Sequence, residues 1–525
     1  MRKLRYPVGM QTFHKIIEEG YVYIDKTQYI KPLLEQGQFV FLSRPRRFGK
    51  SLILSTLKAY FEGRRDLFKG LAADSMDLDW TPSPVIHFDF NAEDYSKEDG
   101  TEQIIMGFLR EYEELYGRNA EDITISQRFK SLIRNAYKKT GRKVVILVDE
   151  YDKPLLEIGE DRRLLEKHQK ILKSFFGNLK TMDDYIRFAF ITGVARFTRV
   201  SIFSDFNNLN DISMANEYAD ICGWTEAELV KYLRPGIEDL AEDREENYDS
   251  TLKEIRRYYD GYLFAPRGSR LYNPYSVLRA LTEKEIFAYW FVTGTPTFLA
   301  RWVKNNGISP WNVNGIVATR DDLSSVGFDH LNPVPLMFQT GYLSIESYDR
   351  ESQLYTLKLP NREVELGFYR LMLTAYDSRA NQQGGPFDFA QFKNDLAKGD
   401  IHGFMKRLQA MLKDLPGKDH NESTYRAVTF LLAELCGTKT IAEHDGYKGR
   451  SDLEVFTNRF IYLFEFKYNK SVKEAMDQIR DRDYAGRFAM DSRKLYLIAA
   501  NFNESKDKRG LEYEIADIMK DSSDR

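Results

Sequence analysis

The sequence is poor in thiols. Two cysteines in 525 residues, Cys222 and Cys436, exclude a disulfide framework and a cysteine-rich zinc cluster, and fit a reducing compartment. Seven scattered histidines exclude a histidine-rich metal site as well. An excess of one charge is also missing. The 76 basic and 79 acidic residues leave a formal net charge of -3, so no global field draws nucleic acid in, and binding would need a local patch. No uninterrupted apolar run could cross a bilayer, and the opening "MRKLRYPVGMQTFHKIIEEGYVYIDKTQYI" has no apolar signal-peptide core. A cytoplasmic protein without a membrane partner is therefore expected. No internal repeat is visible.

What is present suits large cores: 42% of the residues are hydrophobic and 14% aromatic. Length alone suggests roughly three domains. In the first part, "QFVFLS", "PVIHFDF", "KVVILVD" and "YIRFAFITG" read as buried strands, being short, apolar and rich in β-branched or aromatic residues. Between them "SLILSTLKAYFEG", "EQIIMGFLREYEELYG" and "SQRFKSLIRNAYKK" have helical spacing, which predicts an α/β domain with a mainly parallel sheet over 1–221. A helical or winged lid region follows over 222–378, and the polar, glycine-rich "RANQQGGPFDF" marks a linker at 379–390. The last part, 391–521, collects the strands "TKTIAEHD", "SDLEVFT" and "RFIYLFEFKY", a helix from "SVKEAMDQIRDRDYAGRF", and the strand "KLYLIAANFN".

"FVFLSRPRRFGKSLILSTLKAYF" places Gly49-Lys50-Ser51 between a strand and a helix. Such a turn converges backbone N–H groups on a phosphate at a helix N-terminus. Lys50 would reach the outer phosphates of ATP and Ser51 would ligate Mg²⁺. Arg44 stands where a phosphate loop opens on glycine. Arg44, Arg46 and Arg47 could neutralise a triphosphate with forked donors, or form a solvated cluster. Phe48 and Gly49 complete the cofactor-binding positions of the loop. "KVVILVDEYD" ends a buried strand in Asp149, placed for the magnesium second shell, and then Glu150, placed to polarise a water. Beyond the strand "FAFITG", Thr192, Arg196 and Arg199 sit where a γ-phosphate sensor and a charge-stabilising arginine would be, or where a turn is capped.

The stretches "YPVGMQTFHKIIEEGYVYIDKT", "FLSRPRRFGKSL", "VILVDEYDKPL", "ITGVARF" and "YYDGYLF" with "YNPYSVL" resemble the bacterial AAA-ATPase-like family. The resemblance implies a P-loop ATPase domain of the ASCE, AAA-like kind, in which the "RPRRFGKS" form of the loop is usual. It also places "YIDKT" (Asp25, Lys26, Thr27) near the nucleotide.

A second centre is expected in "SDLEVFTNRFIYLFEFKY". With Asn458-Arg459 as a tight turn, Thr457 faces Phe460 and Asp452 faces Glu465. Opposed acids destabilise a sheet unless a cation joins them, and Mg²⁺, or Mn²⁺ in its place, is the simplest candidate. Lys467 points to the face of Glu465 and would activate a water, while Phe464 and Phe466 point to the opposite face. Asp followed by Glu-x-Lys is the reactive core of metal-dependent nucleases. A second Glu-x-Lys, Glu504 and Lys506, reads as accidental. Gln478 and Tyr484 would face the site or the substrate.

"GRSDLEV", "YLFEFKY", "EAMDQI" and "DYAGRF" are similar to the PD-(D/E)XK nuclease-like domain that often follows the AAA-ATPase-like domain. The resemblance implies an α/β domain acting on DNA or RNA. In such domains a histidine commonly follows the tyrosine where this chain has Tyr425-Arg426, and the acidic residue ahead of the hairpin is Glu422, Glu434 or Glu443. Glu443 is counted as a further metal ligand. The expected whole is an ATP-binding, hydrolysing switch fused to a Mg²⁺-dependent nuclease, with a homo-oligomer possible. The alternative is a nucleotide-controlled interaction protein that binds nucleic acid or a partner without cutting.

Overall fold

Four of the apolar runs become four of the five strands of the first sheet. The computed structural model describes residues 4–92, 94–158, 161–197, 208–290, 303–304, 306–324, 326, 332–376, 389–413, 421–446, 449–504 and 510–518. Its contacts divide the chain into two units, Met1–Phe298 with Gly315–Val364, and Leu299–Asn314 with Glu365–Arg525.

In the first unit β1 (Phe39–Ser43) leads to α1 (Lys50–Phe61), then β2 (Val85–Asp89), α2 (Gly100–Tyr116), α3 (Ile125–Thr140), β3 (Val144–Asp149), α4 (Arg162–Thr181), β4 (Ile186–Gly193) and β5 (Asn210–Asp211). All pairs are parallel, in the order β2-β3-β4-β1-β5. Every residue of β1 and β3 is buried, which explains their unbroken apolar composition. Phe88 of β2 packs on Phe129 of α3 and Phe175 of α4, and Phe61 of α1 packs on Phe188 of β4. Of these elements, α4 and the short polar β5 beside Val40 and Phe41 were not foreseen.

Three helices follow, α5 (Glu226–Asp243), α6 (Tyr248–Tyr259) and α7 (Pro274–Glu283). Each begins on a side-chain cap: Thr225 accepts from Glu228 N–H, Asn247 from Ser250 N–H, and Asn273 from Tyr275 and Ser276 N–H. Their apolar faces meet through Leu229, Leu233, Ile255, Tyr259 and Val277. The wing is the antiparallel sheet β6 (Ile316–Ala318), β7 (Ser344–Asp349) and β8 (Leu354–Lys358), ordered β6-β8-β7.

The expected linker lies outside the described residues except Phe389 and Ala390, which open α8 (Phe389–Lys398) of the second unit. There follow α9 (Ile401–Lys413), α10 (Glu422–Leu435), β9 (Lys439–Gly446), β10 (Gly449–Phe456), β11 (Phe460–Tyr468), α11 (Val472–Asp481), β12 (Lys494–Asn503) and β13 (Gly510–Ile518). The sheet runs β13-β12-β11-β10-β9, parallel only between β11 and β12. The β10–β11 hairpin has the expected register, with Leu453 opposite Phe464 and Phe456 opposite Ile461. Thr457 N–H donates to Phe460 O at 2.9 Å to close its turn. One face packs Ile461, Leu463, Leu495 and Leu497 against Ala475, Met476 and Ile479 of α11. On the other, Tyr425 of α10 stacks on Phe502 with ring centroids 3.6 Å apart. The edge strand β13 was not anticipated.

Candidate functional site

In the first unit, β1 ends at the loop that opens α1. Gly49 caps the helix at φ +96, a conformation that excludes a β-carbon comfortably, and the space over it is open. Arg47 also takes a positive φ, of 70. The loop forms one wall of a cleft of about 330 Å³, lined there by Arg46, Arg47, Phe48, Gly49, Lys50 and Ser51. Glu150, Lys26, Met10, Trp224 and Tyr275 are among the residues of its other walls. The Arg47 guanidinium lies 4.9 Å from the centroid of Tyr275. Phe48 anchors the loop, its ring packed edge-on against Tyr262 and Phe264.

Lys50 is almost fully buried. Its ammonium donates to Arg44 O at 3.1 Å and Pro45 O at 3.2 Å, and pairs with Glu150 at 3.2 Å. Asp149 is buried, with the Ser51 hydroxyl near its carboxyl. It also accepts from the Thr192 hydroxyl at 2.7 Å. Burial, and then the adjacent Glu150, push its carboxyl above the usual carboxylate range.

Three expected nucleotide contacts are corrected. Arg44 does not face the cleft: its guanidinium is buried and donates to the carbonyls of Ser43, Ser213, Tyr218 and Ala219. Burial lowers its pKa to about 10. An arginine tied to four carbonyls is a structural pin. Thr192 is fully buried, and its hydroxyl is committed to Asp149. Arg196 pairs with Asp211 of β5 at 2.6 Å, outside the cleft. Arg199 lies outside the described residues.

Sequence reasoning missed Tyr151 and Asp152. The Tyr151 hydroxyl donates to Ala195 O and accepts from Phe197 N–H, while the buried Asp152 carboxylate accepts from Val194 and Ala195 N–H. Burial, then Glu150, raise the Asp152 pKa to about 7. Both follow Glu150 directly in "DEYD", so an aromatic and an acid after the strand-end pair were the available signal. Lys26 of "YIDKT" binds Glu228 at 2.7 Å and Asp220 O at 2.8 Å, tying the N-terminal segment to the start of α5.

The second unit gathers its charges around the β10–β11 hairpin. Asp452 Oδ2 accepts from Phe466 N–H at 2.8 Å, and Lys467 pairs with Glu465 at 2.7 Å. Phe464 and Phe466 are fully buried. Burial, then Asp452, push the Glu465 carboxyl up to about 7. The expected trio of ligands is not assembled. Among the described residues, no three His, Cys, Asp or Glu side chains converge to hold a metal ion. The cation between Asp452 and Glu443 is instead the Arg426 guanidinium, 3.3 Å from the first and 2.8 Å from the second. Arg426 also lies 3.8 Å from Glu422, while Glu434 turns elsewhere and accepts from Thr440 N–H. Among the described residues of this cluster, Glu465 Oε2 is the buried carboxylate oxygen without a hydrogen-bond partner.

Tyr484 donates to Arg450 O at 2.6 Å and Gln478 donates to Tyr484, at the edge of the cluster. On the same strand, Glu454 is fully buried and joins Ser451, His444 and Arg487, a group that sequence reading passed over. Lys506 lies outside the described residues.

Two family models match this chain. One, described as "Predicted AAA-ATPase", covers residues 7–203, and the other, the PD-(D/E)XK nuclease superfamily, covers residues 420–512. The chain is also 32% identical, over 97% of its length and 98% of the relative's, to a protein of Azotobacter chroococcum mcd 1 described as "Uncharacterized protein in vnfD 5'region". The chain thus belongs to the family of AAA-ATPase-like proteins with a C-terminal PD-(D/E)XK nuclease-superfamily domain. No helix among the described residues is long and apolar enough to cross a membrane.

Proposed function

We propose that the first unit binds and hydrolyses ATP in the cleft, and that the second acts on the phosphodiester backbone of DNA or RNA. One observation carries the first half: Arg46, Arg47, Lys50 and Ser51 line a single cleft, with Glu150 facing them. Lys50 has both loop carbonyls and Glu150 as partners, so an incoming phosphate exchanges with groups already matched to its ammonium. The forked donors of Arg46 and Arg47 suit the remaining phosphate charge. Ser51 and Asp149 are neighbouring hard oxygen ligands, a set that suits Mg²⁺ shared with the nucleotide. The ion would neutralise charge on the transferring phosphate. Glu150 orients the attacking water, and Thr192 holds Asp149 in place.

For the second unit, the support is the Asp452, Glu465 and Lys467 constellation on a hairpin within a domain of the nuclease superfamily. A different class of function has its own observation in favour. Asp452 and Glu443 already have a protein cation, which suits a domain that grips nucleic acid or a partner without cutting it. The purified chain, incubated with single- and double-stranded DNA and RNA, Mg²⁺ or Mn²⁺, and with or without ATP, separates the two. Cleavage that disappears in Glu465→Ala and Lys467→Ala supports the nuclease. Tight binding with no cleavage supports the interaction protein. Unchanged ATP affinity and hydrolysis in Lys50→Ala would remove the cleft as the nucleotide site.

A further inference from the structure

The carboxylate cluster of the second unit is already supplied with positive charge. Asp452, Glu465, Glu443 and Glu422 face Arg426 and Lys467, and Arg450 approaches Glu443 to 3.6 Å. Arg426 is central to this. Its side chain is 10% exposed and reaches three of the four acids. It rises from the second turn of α10, a helix fixed by the Asn421 cap and by the Tyr425 stack on Phe502. Its guanidinium carbon lies 5.7 Å from the ring centroid of Trp311. A divalent ion placed between Asp452 and Glu443 would stand within a few ångströms of this fixed charge, and at that range like charges in a poorly solvated site repel strongly.

We propose that Arg426 is the resident counter-cation of this cluster and competes with divalent metal for it, so that metal enters only when the guanidinium withdraws from Asp452 and Glu443. The inference rests on the reading of the second unit as nuclease-like. Departure of Arg426 frees Asp452 Oδ1 to join the unpartnered Glu465 Oε2. The two oxygens are then available to one ion, while Lys467 stays on the other oxygen of Glu465. Arg426 is thus a positioning residue for the site, acting through its occupancy of the carboxylates.

The test is Mn²⁺ binding by the full chain without nucleotide, followed by calorimetry and by loss of the free-ion paramagnetic signal. Arg426→Ala and Arg426→Gln are expected to bind Mn²⁺ at least about tenfold more tightly than the unaltered chain. The glutamine variant keeps a donor for Glu443 without the charge, and sustains the test if the alanine variant is too unstable to purify. Arg426→Lys, which keeps the charge, is expected to stay close to the unaltered chain. Adding Glu465→Gln to Arg426→Gln should abolish the gain. Mn²⁺ should also raise the melting temperature of Arg426→Gln more than that of the unaltered chain.

Equal or weaker Mn²⁺ affinity in the uncharged variants overturns the proposal, as does a gain that survives Glu465→Gln. Tighter metal binding with no cleavage of any nucleic acid upholds this inference and removes the nuclease reading. Cleavage by the unaltered chain, with metal affinity indifferent to Arg426→Gln, does the reverse.

Discussion

Thr192 at the end of β4 donates its hydroxyl to Asp149 at the end of β3, 2.7 Å across two neighbouring strands, and neither residue is appreciably exposed. A buried carboxylate loses one of its few donors if that hydroxyl goes. Thr192→Val, which keeps the shape, should therefore cost about 1–3 kcal/mol of stability. Urea unfolding measures the loss. ATP binding in the presence of Mg²⁺ should weaken alongside it, because Asp149 is then free to reorient.

The Lys50–Glu150 pair should divide binding from turnover. Lys50→Ala is expected to weaken ATP affinity roughly tenfold or more, since a buried positive charge beside the phosphates is lost. Glu150→Gln retains the shape and should leave binding intact while slowing hydrolysis roughly 10²–10⁴-fold. Titration calorimetry and phosphate release, run on both variants, distinguish the two roles. Equal effects on affinity and turnover in Glu150→Gln would contradict the assignment.

Arg44 should matter to the fold and little to the ligand. Replacing it with methionine removes a charged donor from the carbonyls of Ser213 and Tyr218, the latter keeping only the Ile221 N–H, a cost on the order of 3 kcal/mol. The expected result is a lower unfolding midpoint with ATP affinity of the folded variant nearly unchanged. A large loss of affinity at constant stability would return Arg44 to the nucleotide.

Glu363 offers a pH signature. It is fully buried, accepts from Trp290 N–H at 2.7 Å and from the Ser276 hydroxyl at 2.9 Å, and burial pushes its pKa up to about 7. The folded chain holds this proton after the unfolded chain has released it. Its contribution to stability is therefore fully present below the ordinary glutamate pKa, declines as pH rises toward 7, and stays lost above that. Glu363→Gln keeps both acceptor roles on one oxygen and never ionises. At pH 8 it should be more stable than the unaltered chain by on the order of 1–3 kcal/mol, with the difference vanishing near pH 4. Thermal melts across that range provide the check.

The parts legible in the sequence were those set by local periodicity. Strands buried on both faces are written as nearly unbroken apolar runs, so β1 and β3 were plain, and β2 and β4 are broken only at a few part-exposed positions such as His87 and Arg187. The hairpin register followed from a tight turn and a side-chain period of two, and it places Leu453 opposite Phe464 as expected. Elements defined by their neighbours were not legible. Asn210–Asp211 is a strand only because Val40 and Phe41 present an open edge to it. "GLEYEIADI" places acids along the outer edge of a sheet, with no apolar run to announce β13. The direction of a long cation was the hardest feature of all. Arg44 looked like a loop arginine because its partner Ser213 lies 169 residues away. A metal ion was expected between Asp452 and Glu465, with Glu443 as a further ligand, whereas a helix ahead of the hairpin provides an arginine to Asp452 and Glu443.

Tyr151 and Asp152 lock the turn after β3 to the turn after β4, and Gly193 is part of the same joint. A β-carbon there would lie 2.5 Å from Asp152 Oδ1 and 2.7 Å from the Tyr151 ring. The two turns therefore cannot drift independently as the sequence diverges. An insertion in one would have to be answered in the other, and any side chain at 193 would need both Tyr151 and Asp152 to give way. Descendants of this chain should vary here in concert or stay as they are.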